Sequence, residues 1–288
     1  MLRTWFAALM MIVLAAPAAA ASFSILRAQR SLPGDLEVGG ELAGLPPGST
    51  SYVRYEDLLR LPQETYTVSD DSNLPPNTVI SGVALTTLAQ LFGKSPDSTL
   101  IVAICQDRYR TTYPRGYLAA HHPLLVLGIN QKLRQGWPHL ENGGPLGPYL
   151  ISHPFFKPAF KVLSHEDEPQ IPYGVTRIEF RREATVFGAI RPPRNWTPNS
   201  PVAQGYLIAR QDCFRCHNSG AEGGQMAGRD WLQLAAMARD ESRRFERIIR
   251  DPASVKPGAK MPGQPGYNDP TLDALTAYFR TFAPRSQR

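Results

Sequence analysis

The chain has 288 residues, of which 31 are lysine or arginine and 25 are aspartate or glutamate, and its formal net charge is +6 at pH 7. The charges are scattered, and no basic run is long enough to indicate a nucleic-acid partner. The length favours two domains over one. Twenty-seven prolines predict many turns and irregular connections.

The first 21 residues have the pattern of a cleaved secretory signal peptide. Arg3 supplies a basic start, residues 6–16 are apolar without interruption, and small residues follow Pro17. The apolar run is short for a bilayer span, which takes about 20 residues. We therefore expect an exported, periplasmic protein that is not integral to the membrane after cleavage. An uncleaved membrane anchor is the alternative.

Mixed α and β patterns fill residues 23–190. "GVALTTLAQLF" has apolar residues at helical spacing, and Gly93 ends the predicted helix. "TLIVAICQD" and "LLVLGIN" each predict a buried strand, whereas the alternating "VTRIEFRR" predicts a half-exposed strand.

A proline-rich stretch separates this half from a helical one. "IRPPRNWTPNSP", residues 190–201, contains four prolines and predicts a stiff linker. Helices are predicted over residues 201–210, 231–250 and 270–282. We therefore assign a signal peptide to residues 1–21, a first domain to 22–189, a linker to 190–201 and a second domain to 202–288.

Two of the three cysteines form the motif Cys213-Phe-Arg-Cys216-His217. Cys-x-x-Cys-His is the attachment signature of c-type haem. Its two thiols can form thioethers with the two porphyrin vinyl groups, while the histidine binds the iron. A disulfide-exchange site would need a βαβ context, and a zinc site would need a distant fourth ligand. The motif predicts one covalent haem, with His217 as an axial ligand.

A sixth ligand is expected from a loop beyond the motif. Met261 lies in the proline- and glycine-rich "PGAKMPGQPG", and a soft thioether on such a loop suits an axial position. Met226 is a second candidate in another glycine-rich loop. Met237 follows a helical apolar pattern and is predicted to lie in the core.

Residues 199–288 resemble the class I mono-haem cytochrome c family through the Cys213–Cys216–His217 motif, "GAEGG", "KMPG" and "LDALTAYFRTF". The resemblance implies an all-α domain whose first and last helices cross closely, with Gly205 or Ala209 against Tyr278. The family often has Gly-Pro where a carbonyl accepts the hydrogen bond of the proximal histidine. This chain has Gly228 and Arg229 there.

Residues 35–182 resemble the molybdopterin-binding domain of the sulfite oxidase family. The resemblance rests on the order of "SGVALTTLAQLFG", a strand ending at Asp107, "DRYRTTYPRGYL" and "PLLVLGINQKLRQGWP". That family binds molybdenum through a cysteine before the first of these segments, and "YTVSDDSNLPPNTVIS" has none. Together the two resemblances imply an α+β chain, with a mixed α/β first domain followed by an all-α cytochrome c domain.

Other polar residues give weaker patterns. Cys105 ends a predicted buried strand, where a cysteine usually packs as a small hydrophobe, although it could ligate a metal or cross-link another chain. His121 and His122 could bind metal. Arg108, Arg110 and Arg115 could clamp an oxyanion. The favoured interpretation is a loop in which the arginines are solvated and one of the histidines is hydrogen-bonded.

We predict an exported c-type cytochrome that transfers single electrons to or from a redox partner protein, with the first domain as a docking module. The alternative is a fused molybdopterin-dependent oxidoreductase that passes substrate electrons to its own haem. A third hypothesis, a gas or redox sensor, requires that Met261 does not bind the iron. Whether the chain is an enzyme stays open among these.

Overall fold

A computed structural model describes residues 25–194 and 196–282. The predicted signal peptide and Asn195 of the predicted linker lie outside the described residues. The described strands are β1 Leu36–Gly40, β2 Thr50–Val53, β3 Glu64–Val68, β4 Thr78–Ala84, β5 Leu100–Cys105, β6 Arg110–Pro114, β7 Leu124–Ile129, β8 Tyr149–Ser152, β9 Lys161–Val162, β10 His165–Glu166 and β11 Tyr173–Arg181. The described α-helices are α1 Tyr55–Leu58, α2 Leu85–Leu91, α3 Arg115–His121, α4 Glu183–Gly188, α5 Pro201–Gln211, α6 Trp231–Asp240, α7 Ser242–Arg250, α8 Pro252–Val255 and α9 Asp269–Arg280. Among these helices, none has the length and apolar character to span a bilayer.

Nine strands form one sheet around the long strand β11. The order is β2-β1-β11-β8-β7-β4-β3, and β5 pairs with both β11 and β6. β11 runs parallel to β1 and antiparallel to β5 and β8. Its register shifts between Tyr173 and Arg177. Such an irregularity bends a strand and increases its twist, here at the point where β11 changes partner from β8 to β5.

Several predicted elements of the first half are confirmed. The predicted helix is α2, where Leu85 and Leu88 are buried and Leu91 is half exposed. The continuous apolar runs form β5 and β7. The alternating segment forms β11, in which Ile178 and Phe180 are buried.

The expected fold class is wrong, because the helices after residue 200 do not form a separate all-α cytochrome domain. The chain is mixed α/β, and these helices cover the sheet. The reason lies in β5, which is apolar on both faces because side chains alternate along a strand. Ile101 and Ala103 enter a core with the other strands. Leu100 and Val102 enter a second core with α4, α5, α6, α7 and α9.

The second core depends on the crossing of α5 and α9. A Cβ atom at Gly205 would lie 2.1 Å from the carbonyl oxygen of Ala274 and 2.7 Å from the Cβ of Tyr278. Only glycine therefore permits this approach. The Tyr278 hydroxyl donates a hydrogen bond to the carbonyl of Ile190, 2.5 Å away, which ties α9 to the segment after α4.

The predicted helix over residues 231–250 is two helices. α6 begins with a capping box in which Asp230 and Gln233 exchange hydrogen bonds with each other's backbone N–H. It ends at Asp240, and α7 starts at Ser242 with Glu241 between them. The predicted domain boundaries at 22–189, 190–201 and 202–288 stay predictions.

Candidate functional site

The Cys213–His217 motif forms a tight turn directly after α5. Residues Cys213–Arg215 make one 3₁₀ turn. The carbonyl of Cys213 accepts from the backbone N–H of Cys216 at 3.2 Å and of His217 at 2.9 Å. Both thiols and the imidazole are thus held within one short, hydrogen-bonded segment.

The glycine-rich loop after the motif wraps around it. The N–H of Gly224 donates to the carbonyl of Phe214 at 2.9 Å. A Cβ at Gly224 would lie 1.7 Å from the Arg215 carbonyl oxygen, and Gly223 has a φ of +86°. Both positions require glycine, because any side chain would collide with the motif or strain the backbone.

A cavity of about 620 Å³ opens beside the motif. This volume is in the range of small-molecule and cofactor sites, about 300–1,000 Å³. Apolar side chains of α6, α7 and α9 form much of its wall. The structure brings the predicted site residues together at this cavity: Cys213, Cys216, His217, Met226 and Met261.

A hydrogen bond from Nδ1 fixes the orientation of the His217 ring. Nδ1 lies 2.7 Å from the carbonyl oxygen of Arg229, so Nδ1 carries the hydrogen and donates it. Burial lowers the pKa of His217, which leaves the ring neutral with the lone pair on Nε2. The resemblance to cytochromes placed a carbonyl at this position, and Arg229 supplies it although the Gly-Pro sequence is absent.

The three cysteines are free thiols. Burial raises the pKa of Cys216 to about 11 and that of Cys213 further. Both are therefore protonated at neutral pH. Reactive disulfide-exchange thiols have lowered pKa values instead, so the environment of Cys213 and Cys216 is unlike that of a thiol–disulfide exchange centre.

Three methionines border the cavity, and their environments differ. Met261 and Met226 are 37% and 41% exposed and lie in loops. Met237 lies on α6 and packs against the second core, as predicted. The Met261 loop is attached to α7 because the N–H of Gln264 donates to the carbonyl of Ile249 at 2.8 Å.

Cys105 is the third thiol at this cavity. It is 5% exposed and packs in the first core. Burial, and then the charge of Asp107, raise its pKa. A protonated, buried thiol matches the prediction that Cys105 packs as a small hydrophobe.

The remaining sequence candidates do not converge on one site. His121 is buried with Nε2 2.8 Å from Asp167 Oδ2, whereas His122 is exposed at the end of α3. Arg110 donates to the carbonyl of Ala221 at 3.1 Å. Arg115 is exposed and borders a second cavity.

Sequence reasoning missed a polar network in the wall of the first cavity. Arg215 is its centre, and its guanidinium donates to Asp212 Oδ1 at 2.7 Å and to Glu168 Oε2. Tyr267 donates to the second oxygen of Asp212. His165 contacts the Tyr267 hydroxyl through Nδ1 at 2.7 Å. These residues come from three distant segments of the chain, so no local sequence motif predicts the network.

Three members of the network form a possible metal site. The ligand atoms of His165, Glu168 and Asp212 lie within 4.8 Å of one another. However, the Arg215 guanidinium already bonds both carboxylates, and both ring nitrogens of His165 contact protein groups. The ligand atoms of this cluster are therefore already occupied by hydrogen bonds within the protein, including those from the positively charged Arg215.

Comparisons with known proteins add little to this geometry. No protein-family model matches the sequence, and no curated protein matches it. Among solved structures, the chain is similar to the sulfane dehydrogenase SoxCD from Paracoccus pantotrophus, with 16% identity, a TM-score of 0.35 and coverage of 52% of this chain. The chain spans 38% of that protein's chain. A likeness this weak carries no argument about activity.

Proposed function

We propose that the chain is a c-type cytochrome that transfers single electrons, with haem attached at Cys213 and Cys216 and ligated by His217 and Met261. Bound haem would supply one-electron chemistry through the ferric and ferrous states of its iron. The observation that carries the proposal is the meeting of these four side chains at one largely apolar cavity.

The state of the two thiols supports covalent attachment. To hold haem, each thiol would add across one vinyl C=C bond of the porphyrin, with a C–S bond formed at one carbon and the thiol hydrogen transferred to the other. The addition consumes a thiol and needs no oxidant. Raised pKa values keep Cys213 and Cys216 as thiols, and neither is committed to a disulfide.

The hydrogen bond of His217 supports its role as an iron ligand. Because Nδ1 donates to the Arg229 carbonyl, Nε2 has the free lone pair that an iron ligand needs. A hydrogen bond of this kind fixes the ring orientation and increases the basicity of the ligating nitrogen. The lowered pKa of His217 keeps protons from competing for that lone pair.

Exposure at the cavity supports electron exchange with another protein. The side chain of Met261 is 37% exposed and borders the cavity, so the site reaches the surface. We propose that a redox partner protein docks there. We also propose export to the periplasm, on the N-terminal sequence pattern of residues 1–21.

Covalent attachment is tested by extracting the purified protein with acidified acetone. We expect the colour to stay with the polypeptide, and Cys213→Ala with Cys216→Ala to abolish this retention. Cys105→Ala is the matched control, because Cys105 lies at the same cavity outside the motif. A colourless wild-type polypeptide would refute the proposal.

The axial ligand is tested by the long-wavelength absorption band that methionine bonded to ferric iron produces. Met261→Ala should abolish the band and Met226→Ala should keep it. The reverse result would assign the ligand to Met226. Metal analysis should give one iron per chain. Stoichiometric molybdenum beside iron would instead favour a fused oxidoreductase.

A further inference from the structure

Glu168 brings a carboxylate from the sheet half of the chain to the cavity that holds the haem motif. It borders this cavity together with Asp212, Cys213 and Arg215. Its side chain is 30% exposed and forms an ion pair with Arg215. The proposed function makes no use of this carboxylate.

Glu168 and Asp212 form a pair of carboxylates that share one cation. Their oxygens lie within 4.8 Å of each other, and the Arg215 guanidinium bonds both. Two close carboxylates bind the first proton more tightly than an isolated one, because the proton removes their repulsion. Burial and the charge of Asp212 raise the pKa of Glu168, against the opposing effect of Arg215.

The rest of the network leaves Glu168 as the member that can accept a proton. Both Asp212 oxygens accept hydrogen bonds, from Arg215 and from Tyr267. The Gln211 amide donates through Nε2 to Asp167, so its oxygen faces His165 Nε2 at 2.8 Å. Both ring nitrogens of His165 are occupied by hydrogen bonds with Gln211 and Tyr267.

The groups that set the charge around Glu168 come from every neighbouring element. They are Asp167 and His165 before it in the chain, Asp212 and Arg215 after α5, Tyr267 before α9, and Cys105, Asp107 and Tyr109 at the end of β5. Of these, Arg215 brings positive charge to counter the three aspartates.

We propose that Glu168 binds one proton from solvent when the cavity site gains one electron and releases that proton when the electron leaves. This inference rests on the proposed function. A redox partner supplies the electron, the proton forms an O–H bond on a carboxylate oxygen, and no other atom is gained or lost. The chain would then couple the transfer of one electron to proton uptake and release.

The sign of the coupling follows from charge. Gaining an electron removes one positive charge from the cavity site, so a carboxylate in the same wall binds its proton more tightly. A unit charge change within roughly 10 Å, at an effective dielectric constant of about 20, alters proton affinity about tenfold. For this tenfold difference, the midpoint potential falls by about 59 mV in total as pH rises past the two proton affinities, with a steepest slope of about 30 mV per pH unit.

The test is a potentiometric titration of the full-length haem protein across about pH 5 to 9. We expect the wild-type potential to fall with rising pH and the Glu168→Gln potential to stay flat in the same window. Glu166→Gln is the matched control, because Glu166 is 53% exposed and forms an ion pair with Lys161 on the surface. It should keep the wild-type slope.

Several outcomes would overturn the inference. A flat wild-type potential, an unchanged slope in Glu168→Gln, or a slope lost equally in Glu166→Gln would each do so. If Glu168→Gln does not fold, electrode reduction of the wild-type protein with an indicator dye counts protons directly. Up to about half a proton per electron is expected at the pH midway between the two proton affinities, since these differ about tenfold, and none would refute the idea. A protein without covalent haem refutes the proposed function itself, whereas haem with a flat potential refutes only this inference.

Discussion

Gly205→Ala tests the close crossing of α5 and α9. The added Cβ would lie 2.1 Å from the Ala274 carbonyl oxygen and 2.7 Å from Tyr278 Cβ, whereas ordinary contact begins at 3.4 Å. Neither atom can rotate away, because one is backbone and the other is fixed to it. The helices must therefore separate by roughly 1 Å, against a close-packed core.

The expected loss of stability can be worked from two opposing effects. Overpacking of this kind costs up to about 3 kcal/mol. Alanine has a better helix propensity than glycine, and this offsets about 1 kcal/mol of the overpacking cost. The free energy of unfolding should then fall by about 2 kcal/mol. For a chain of 288 residues, with an unfolding entropy of about 2.1 cal/mol/K per residue, that lowers Tm by about 3–4 °C.

Thermal unfolding followed by circular dichroism measures the effect, and Gly188→Ala is the control. Gly188 ends α4, and a Cβ there meets nothing within 4 Å. The same substitution should therefore be neutral or stabilising by up to about 1 kcal/mol. A Gly205→Ala protein that melts at or above the wild-type temperature would refute the close crossing.

Two further predictions concern buried groups. Arg215→Met leaves the carboxylates of Glu168 and Asp212 without their cation and should lower the free energy of unfolding by about 3–5 kcal/mol at neutral pH. The pKa of Glu168 is raised in the folded chain, so its contribution to the free energy of unfolding is complete below the unfolded pKa and is lost as pH rises through the folded pKa. The stability difference between Arg215→Met and the wild type, measured by urea titration, should therefore shrink on acidification. A difference that grows would contradict this. Cys105 should resist iodoacetamide in the native protein and react fully in urea, because burial and the charge of Asp107 raise its pKa. Intact-protein mass spectrometry measures the labelling. Rapid labelling of Cys105 in the native protein would contradict its buried position.

Local patterns predicted the elements that depend on local properties. The apolar spacing of α2 and the continuous runs of β5 and β7 follow from burial, and the structure has them where expected. The candidates for the helix crossing, Gly205 or Ala209, came instead from the resemblance to the cytochrome c family, and the structure has Gly205 against Tyr278. The break between α6 and α7 at Glu241 has no proline or glycine to mark it.

The network around Arg215 depends on contacts that no local pattern contains. Glu168 and Arg215 are 47 residues apart in the chain and meet where His165 of β10 is hydrogen-bonded to Gln211 at the end of α5. In the sequence, "HEDEPQIPYG" has the composition of a surface loop, and its charges suggest solvent exposure. Burial of His165 and Asp167 is therefore a consequence of the helices that pack over the sheet.

The alternation of β5 explains why the fold expectation failed while the site residues still met. A strand that is apolar on alternate positions needs only one covering layer, but β5 is apolar on both faces and needs two. Leu100 and Val102 are buried in the core formed with α5 and α9, so these helices cannot detach without exposing the second face. The strand ends at Cys105, which borders the cavity beside Cys216. The packing that joins the helices to the sheet thus also completes the cavity wall, and the sheet half contributes directly to the environment of the motif.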